Sequence, residues 1–514
     1  MAARNLPLLL RRLTAASLVP NPVSALSRRS YIPRACYSQI RSRALSAHEV
    51  FAPLTRNRPV FRIKEPIEVI REPQDFYQQL LRGIRNARHR IYLSSLYLGS
   101  EETELVSALD KALSSRPNLQ VHILLDCLRG TRTDRNGKSS ALLLASLVGK
   151  HGADRVRVSL YHTPALSGIS KQLWPQRYNE TFGLQHIKLY MFDNDTIISG
   201  ANLSRDYFTN RQDRYMRIRD RALSDFFAQL VRAIGRFSFE LRNPSRGTAY
   251  DLRMNGGFAD PSREPQTFIR QANEVMATLL YSAEVKHALE GEITSSDTLV
   301  IPTVQMNQLG ITQDRVHMDE FFQITSKYGG LNGCRNLMAS AYFNFSDFHK
   351  ENVLSSRSRW DLLVASPSAN GFYTAKGVSK YIPDMYSIIE YEFLRAARKR
   401  MRGDISVEEY ARDGWTYHGK GVWCYLDNKL PQLTMIGSPN YGYRSMYCDL
   451  EAQITLIPAS DGSPASRELQ KSLHQEALFL LSHSKMVNES ELKQRIRGSP
   501  LWLHALKPFI LKKM

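Results

Sequence analysis

A chain of 514 residues, 43% hydrophobic and 23% charged, is too apolar for a disordered protein and too long for one ordinary core, so two core-forming units with extensions are expected. No run approaches the ~18 consecutive apolar residues of a membrane-spanning helix, which leaves peripheral association as the route to a membrane. Five scattered cysteines (Cys36, Cys127, Cys334, Cys424, Cys448) without a CxxC pair argue against a disulfide framework and a zinc site, and the net charge of +20 favours an anionic partner, nucleic acid or anionic lipid.

Eight of those charges sit in residues 1–48 as Arg4, Arg11, Arg12, Arg28, Arg29, Arg34, Arg41 and Arg43, with no lysine or acid, which leaves +12 for the rest. An arginine-rich, serine-bearing, acid-free segment with interspersed leucines has the composition of an organellar transit peptide, mitochondrial rather than plastid. Arg11 and Arg12 interrupt the apolar run that a secretory signal needs.

Two copies of one pattern come next. In the first, RIYLSSLYL at 90–98 reads as a strand, 102–113 as a helix and 121–126 as a strand. Then come QHIKLYMFD at 185–193, a strand at 196–199 and GANLS at 200–204. The second copy replays the order: a strand in NLMASAYF at 336–343, a helix at 346–354 and a strand at 360–366. YHGKGVWCYLD at 417–427, a strand at 433–436 and GSPN at 437–440 complete it. Alternating strands and helices predict α/β layers, with the repeated motifs face to face across a pseudo-twofold. The Gly, Pro, Asn and Ser-rich stretch 242–264 reads as linker, and helices are expected at 466–483 and 490–497. The expected organisation is a targeting segment at 1–48, a first half at 49–250, a second half at 251–460 and a C-terminal helical extension at 461–514.

The chemistry concentrates at His186 and Lys188, and again at His418 and Lys420. On a strand, residues two apart share a face, so each motif presents an imidazole beside an ammonium group. Imidazole suits nucleophilic attack or proton transfer near neutral pH, and a lysine beside it holds phosphate as a point charge. One HxK is common by chance; two, each closing a repeated unit and followed by a strand and an asparagine turn, are not. Asp193 and Asp427 lie at odd offsets from their histidines, so they are expected to brace the strand-to-turn junctions.

These residues resemble the HxKxxxxD motif of the phospholipase D superfamily, over nearly all of 80–460. The first copy fits fully with His186, Lys188, Asp193, Gly200 and Asn202; in the second, Asp427 comes two residues late and the turn reads Gly437, Ser438, Pro439, Asn440. That combination looks like the mitochondrial phosphatidylglycerophosphate synthase branch, whose relatives include bacterial phosphatidylserine synthase. The resemblance implies two similar phospholipase D-like α/β/α halves packed with a shared active site between them. It gives His186, Lys188, Asp193, His418, Lys420 and Asp427 as the catalytic set, with His186 as nucleophile. It implies that Asp213 and Glu451 orient the opposite histidines, and that Asn202, Asn440, Arg129 and Arg444 hold phosphate. The implied substrates are CDP-diacylglycerol and glycerol 3-phosphate, joined with release of CMP through a phosphohistidine, without metal or cofactor. The implied place is peripheral on the anionic inner mitochondrial membrane, with no nucleic-acid partner. Other superfamily activities are the alternatives: phosphatidylserine synthase, cardiolipin synthase, phospholipase or nucleic-acid phosphodiesterase.

Weaker signals remain. The stretch 125–139 superficially resembles an ATP-binding phosphate loop, but Arg132 stands where such a loop needs glycine. Arg205, Arg211 and Arg214 join Arg444 as candidates for the acceptor's phosphate. RAARKRMR at 395–402 is either a solvated helix face or a contact for anionic headgroups. The tail 501–514 is either an interfacial anchor or a packed helix.

Overall fold

The computed structural model describes residues 45–167, 179–244, 248–288, 293–373, 380–427, 429–500 and, beyond them, 502, 503, 507, 511 and 512. The targeting segment, apart from its last four residues, and most of the tail lie outside them. The chain divides into Met1–Leu45 and Ser46–Met514, and the sheets and helices of the fold belong to the second unit.

Two large mixed sheets carry the fold. The first runs in the order Asp251–Met254, Phe239–Arg242, Val156–Tyr161, Gln120–Asp126, Arg90–Ser94, Leu189–Phe192, Asp195–Ser199, Tyr215–Arg219 and Glu68–Ile70. The second runs Phe61–Ile63, Thr298–Met306, Glu451–Ile457, Leu433–Gly437, Gly421–Tyr425, Arg335–Ala339, Arg359–Ala365, Ile405–Tyr410 and Ser484–Val487, with Ile311–Thr312 pairing off Thr298–Met306. Each has a core of three parallel strands, Arg90–Ser94 with its two successors and Arg335–Ala339 with its two, and antiparallel neighbours on both sides. These central strands are apolar on both faces because helices cover both.

Asp220 caps the helix Arg221–Arg236, accepting from the Leu223 amide at 2.7 Å, and Ser463 caps Pro464–Ser482. Both helices lie between the sheets in one apolar core that joins Met191, Ile198 and Met216 of the first to Trp423, Ile436 and Ile454 of the second. Separate outer cores back each sheet.

The halves are more interleaved than the sequence boundaries suggest. Helix Arg221–Arg236 leads to Phe239–Arg242, antiparallel to the third parallel strand of its sheet. Helix Pro464–Ser482 leads to Ser484–Val487, which pairs with Ile405–Tyr410 in the same way. Thus 464–487 is part of the second repeat, not an extension after 460. The expected linker 242–264 contains the edge strand Asp251–Met254. Ser46 and Glu49 form a capping box, Phe51 and Leu54 fill the outer core of the second sheet, and Phe61–Ile63 pairs with Thr298–Met306. The segment after the targeting peptide therefore packs with the second sheet; edge strands need only an unpaired neighbour, which chain order does not specify.

Candidate active site

Each histidine segment leaves its own sheet to pair with the opposite half. The His186 amide donates to the Leu450 carbonyl at 2.9 Å, in a parallel bridge between Gln185 and Leu450. That register brings Glu451, the next residue, abreast of the imidazole, with both carboxylate oxygens 3.0 Å from Nδ1. In the mirror arrangement Thr416–Tyr417 runs parallel to Arg211–Gln212, and the His418 amide donates to the Gln212 carbonyl at 2.7 Å. Asp213 then meets His418 Nδ1 at 2.7 Å. The acids expected to reach the opposite histidines do so. A carboxylate on Nδ1 holds the proton there and leaves Nε2 as the basic, nucleophilic nitrogen.

The surroundings hold these carboxylates in place. Ser445 donates to Glu451 Oε1 at 2.7 Å, and the Arg214 amide donates to Asp213 at 2.8 Å. A Cβ at Gly200 would lie 2.7 Å from an Asp213 oxygen and 2.9 Å from Lys420 Cδ, so the turn glycine is what lets the acid approach.

The HxK residues lie just before the strands Leu189–Phe192 and Gly421–Tyr425. Lys188 Nζ donates to the His186 carbonyl at 2.6 Å, and Lys420 Nζ lies 2.6 Å from His418 Nδ1. All six groups are nearly or fully buried. Burial, reinforced by the adjacent lysine, pushes both imidazoles well below their ordinary range, towards the neutral form. Burial also lowers Lys188 strongly, and Lys420 to about 8 against the opposing pull of Asp213. It raises Glu451, and lifts Asp213 to about 6 although Lys420 acts the other way.

The other expected site residues divide. Asp193 accepts from the amides of Arg88, His89 and Arg90 at 2.7–3.0 Å, tying its turn to the start of the central strand. Asp427 is exposed and accepts from the Lys429 amide and Gln432 Nε2, closing a hairpin loop. Both brace turns. Asn202 is engaged, accepting from the Leu96 amide at 3.4 Å and donating to the Tyr207 hydroxyl at 3.1 Å. The Asn440 side-chain oxygen is buried without a partner among the described residues. Arg129 lies over the Tyr97 ring and 3.5 Å from Glu180, and Arg444 pairs with Asp449 at 2.9 Å; the Nε of each is buried and unpartnered among the described residues.

Arg214 is not available to a substrate: its guanidinium is fully buried against Glu476 and stacks 3.6 Å above Trp423. Arg205 is exposed, and Arg211 pairs with Asp206 at 3.3 Å. The loop resembling a phosphate cradle is closed on itself, because Asp134 takes the amide protons of Asn136 and Lys138. Among the described residues, no group of three or more His, Cys, Asp or Glu is placed to hold a metal ion.

Sequence reasoning missed two residues. Gln185 is buried and its amide ties Ser94, Ser95 and Leu124 to the Ile187 amide, fixing the backbone under His186. Tyr207 places its hydroxyl 3.2 Å from His418 Nε2. The signal for Tyr207 was its position after the asparagine turn; nothing in the local sequence marks Gln185.

Residues 80–234 match the family described as cardiolipin synthase, PLD-like domain. The chain is 38% identical over 467 residues to a probable CDP-diacylglycerol–glycerol-3-phosphate 3-phosphatidyltransferase of Dictyostelium discoideum, covering 87% of this chain and 78% of that protein. It is 37% identical over 476 residues to the mitochondrial CDP-diacylglycerol–glycerol-3-phosphate 3-phosphatidyltransferase of Cricetulus griseus, covering 86% and 82%. The crystal structure of phosphatidylserine synthase from Haemophilus influenzae Rd KW20 superposes with a TM-score of 0.65 at 17% identity, over 92% of this chain and 100% of that one, a likeness of fold.

Proposed function

The chain belongs to the family of CDP-diacylglycerol–glycerol-3-phosphate 3-phosphatidyltransferases, and on that premise we propose how its paired histidines move the phosphatidyl group from CDP-diacylglycerol to glycerol 3-phosphate. The observation that carries the reading is the crossed pairing, in which each imidazole is held at Nδ1 by an acid from the other half. His186 Nε2 attacks the phosphatidyl phosphorus, the bond to CMP breaks, and CMP leaves with the electron pair. As a phosphomonoester with a second pKa of about 6, CMP departs without much need of a proton. The sn-1 hydroxyl of glycerol 3-phosphate then attacks the phosphohistidine, its proton passes to His418 Nε2, and the P–N electrons return to His186. Lys188 and Lys420 hold the phosphoryl oxygens, and an approaching phosphate favours the charged form of both.

The compartment is the mitochondrion, as for the mitochondrial relatives. No helix among the described residues is long and apolar enough to cross a membrane. We take the enzyme to work at the surface of the inner membrane, where its lipid substrate lies, and expect no nucleic-acid partner.

The test uses residues 46–514, CDP-diacylglycerol in detergent micelles, and labelled glycerol 3-phosphate, with serine and water as control acceptors. Label enters lipid with the native chain and not with His186→Ala. His418→Ala keeps a burst of CMP release and loses transfer. Equal loss of both steps in the two variants would overturn the division of labour, and transfer to serine alone would overturn the acceptor.

A further inference from the structure

Among the differences between the two halves, one lies directly against a histidine ring. Five residues after Asn202 stands Tyr207, and five after Asn440 stands Ser445; each precedes the acid of its half, Asp213 or Glu451, by six. Ser445 turns to its acid, donating to Glu451 at 2.7 Å, and His186 Nε2 has no hydrogen-bond partner among the described residues. Tyr207 turns instead to the imidazole. Its hydroxyl lies 3.2 Å from His418 Nε2 and its ring stands edge-on to the imidazole, centroids 5.0 Å apart. Asn202 Nδ2 can only donate, and it donates to the Tyr207 oxygen at 3.1 Å, so the Tyr207 proton is aimed at Nε2. The tyrosine is 3% exposed, and the Arg211 guanidinium lies 4.8 Å from the centre of its ring. With Asp213 on Nδ1, both nitrogens of His418 are engaged, whereas His186 keeps one free.

We propose that Tyr207 is a positioning residue that guards the base: its hydroxyl covers His418 Nε2 against water and yields to an acceptor hydroxyl. The proposal rests on the phosphatidyl-transfer reading above. Were water activated there, its oxygen would bond to the phosphatidyl phosphorus and its proton would pass to His418 Nε2. The P–N electrons would return to His186 Nε2 and phosphatidate would leave. Water replacing Tyr207 exchanges one hydrogen bond for another and gains nothing. Glycerol 3-phosphate brings a phosphate that binds elsewhere in the cationic site, and that binding drives the exchange. The covered nitrogen is also kept from attacking the donor, which leaves the first step to His186.

Tyr207→Phe removes the hydroxyl and keeps the ring. CMP, labelled phosphatidylglycerophosphate and phosphatidate are measured together, with single-turnover CMP release as the probe of the first step. The ratio of phosphatidate to transfer product rises about three- to tenfold, the worth of one hydrogen bond, while single-turnover CMP release holds. A structural defect would lower both products and leave their ratio alone. If Tyr207→Phe melts well below the native chain, Asn202→Ala, which removes the donor that turns the hydroxyl, shifts the ratio the same way. A native ratio in the folded variants overturns the role of Tyr207. Failure of the native chain to label lipid from glycerol 3-phosphate would instead overturn the transferase reading.

Discussion

Burial sets the chemistry of Lys420. With its ammonium held near 8, the charge needed for phosphate is lost as pH rises through that value, since deprotonation removes a cation. The KM for CDP-diacylglycerol should therefore climb above about pH 8 while kcat changes less, as initial rates at fixed ionic strength will show. Lys420→Arg keeps its charge throughout and flattens that rise, whatever it does to the absolute rate. The HxK chemistry was legible from residue type and spacing because both act locally. The opposite roles of Asn202, whose amide is spent on Leu96 and Tyr207, and Asn440, whose side-chain oxygen is unpartnered among the described residues, were not. The same residue type in the same turn met different neighbours.

At the scale of elements, the cationic run 395–402 shows what charge counting cannot resolve. Arg398 pairs with Glu489, Arg400 with Glu351, and Arg395 lies over Tyr391. Arg402 donates to the carbonyls of Val353, Leu354, Ser356 and Ser358 and pairs with Asp404, finishing the helix Asp347–Ser355. Arg402 is thus committed to helix termination, while Arg398 and Arg400 keep exposed ion pairs. Arg402→Ala strips a charged donor from several carbonyls and should cost about 1–3 kcal/mol, read from the denaturant midpoint, with kcat unchanged. The described tail residues side with packing: Leu503 is buried against Met385 and Ile388, Trp502 stands edge-on to Tyr381, and Lys507 pairs with Glu392.

For the whole molecule, one buried ion pair links both sheets and the helix between them. Arg214, next to the acid that holds His418, meets Glu476 of helix Pro464–Ser482 through two hydrogen bonds of 2.9 and 2.8 Å. It also donates to the Met435 carbonyl at 2.7 Å in the second sheet, and Trp423 Nε1 donates to Glu476 at 3.1 Å. Glu476→Leu alone leaves a buried guanidinium unpaired and should destabilise the protein by about 3–5 kcal/mol. Adding Arg214→Met should restore much of that loss, though Trp423 Nε1 stays without its acceptor. Urea unfolding of the four proteins of the cycle measures the coupling, provided each unfolds in two states.

The sequence by itself determined the repeat, the α/β class and both histidine–lysine motifs, because residue type, spacing and order survive in one dimension. Asp213 and Glu451 came from the family resemblance, not from spacing. Strand parity also suggested that Asp193 and Asp427 brace turns. In the structure both histidines and both aspartates lie outside the regular strands, so their turn-bracing contacts were decided by local folding rather than parity. Only the tertiary structure decided what pairs across the halves. Glu451 and His186 are 265 residues apart, Asp213 and His418 are 205, and Tyr207 reaches His418 from a distance of 211. It likewise assigned 464–487 to the second repeat and 46–63 to the second sheet, because an edge strand takes whichever partner packing leaves open. Contacts at such separations arise from how two finished sheets pack on a shared core, and no periodicity within either half encodes that.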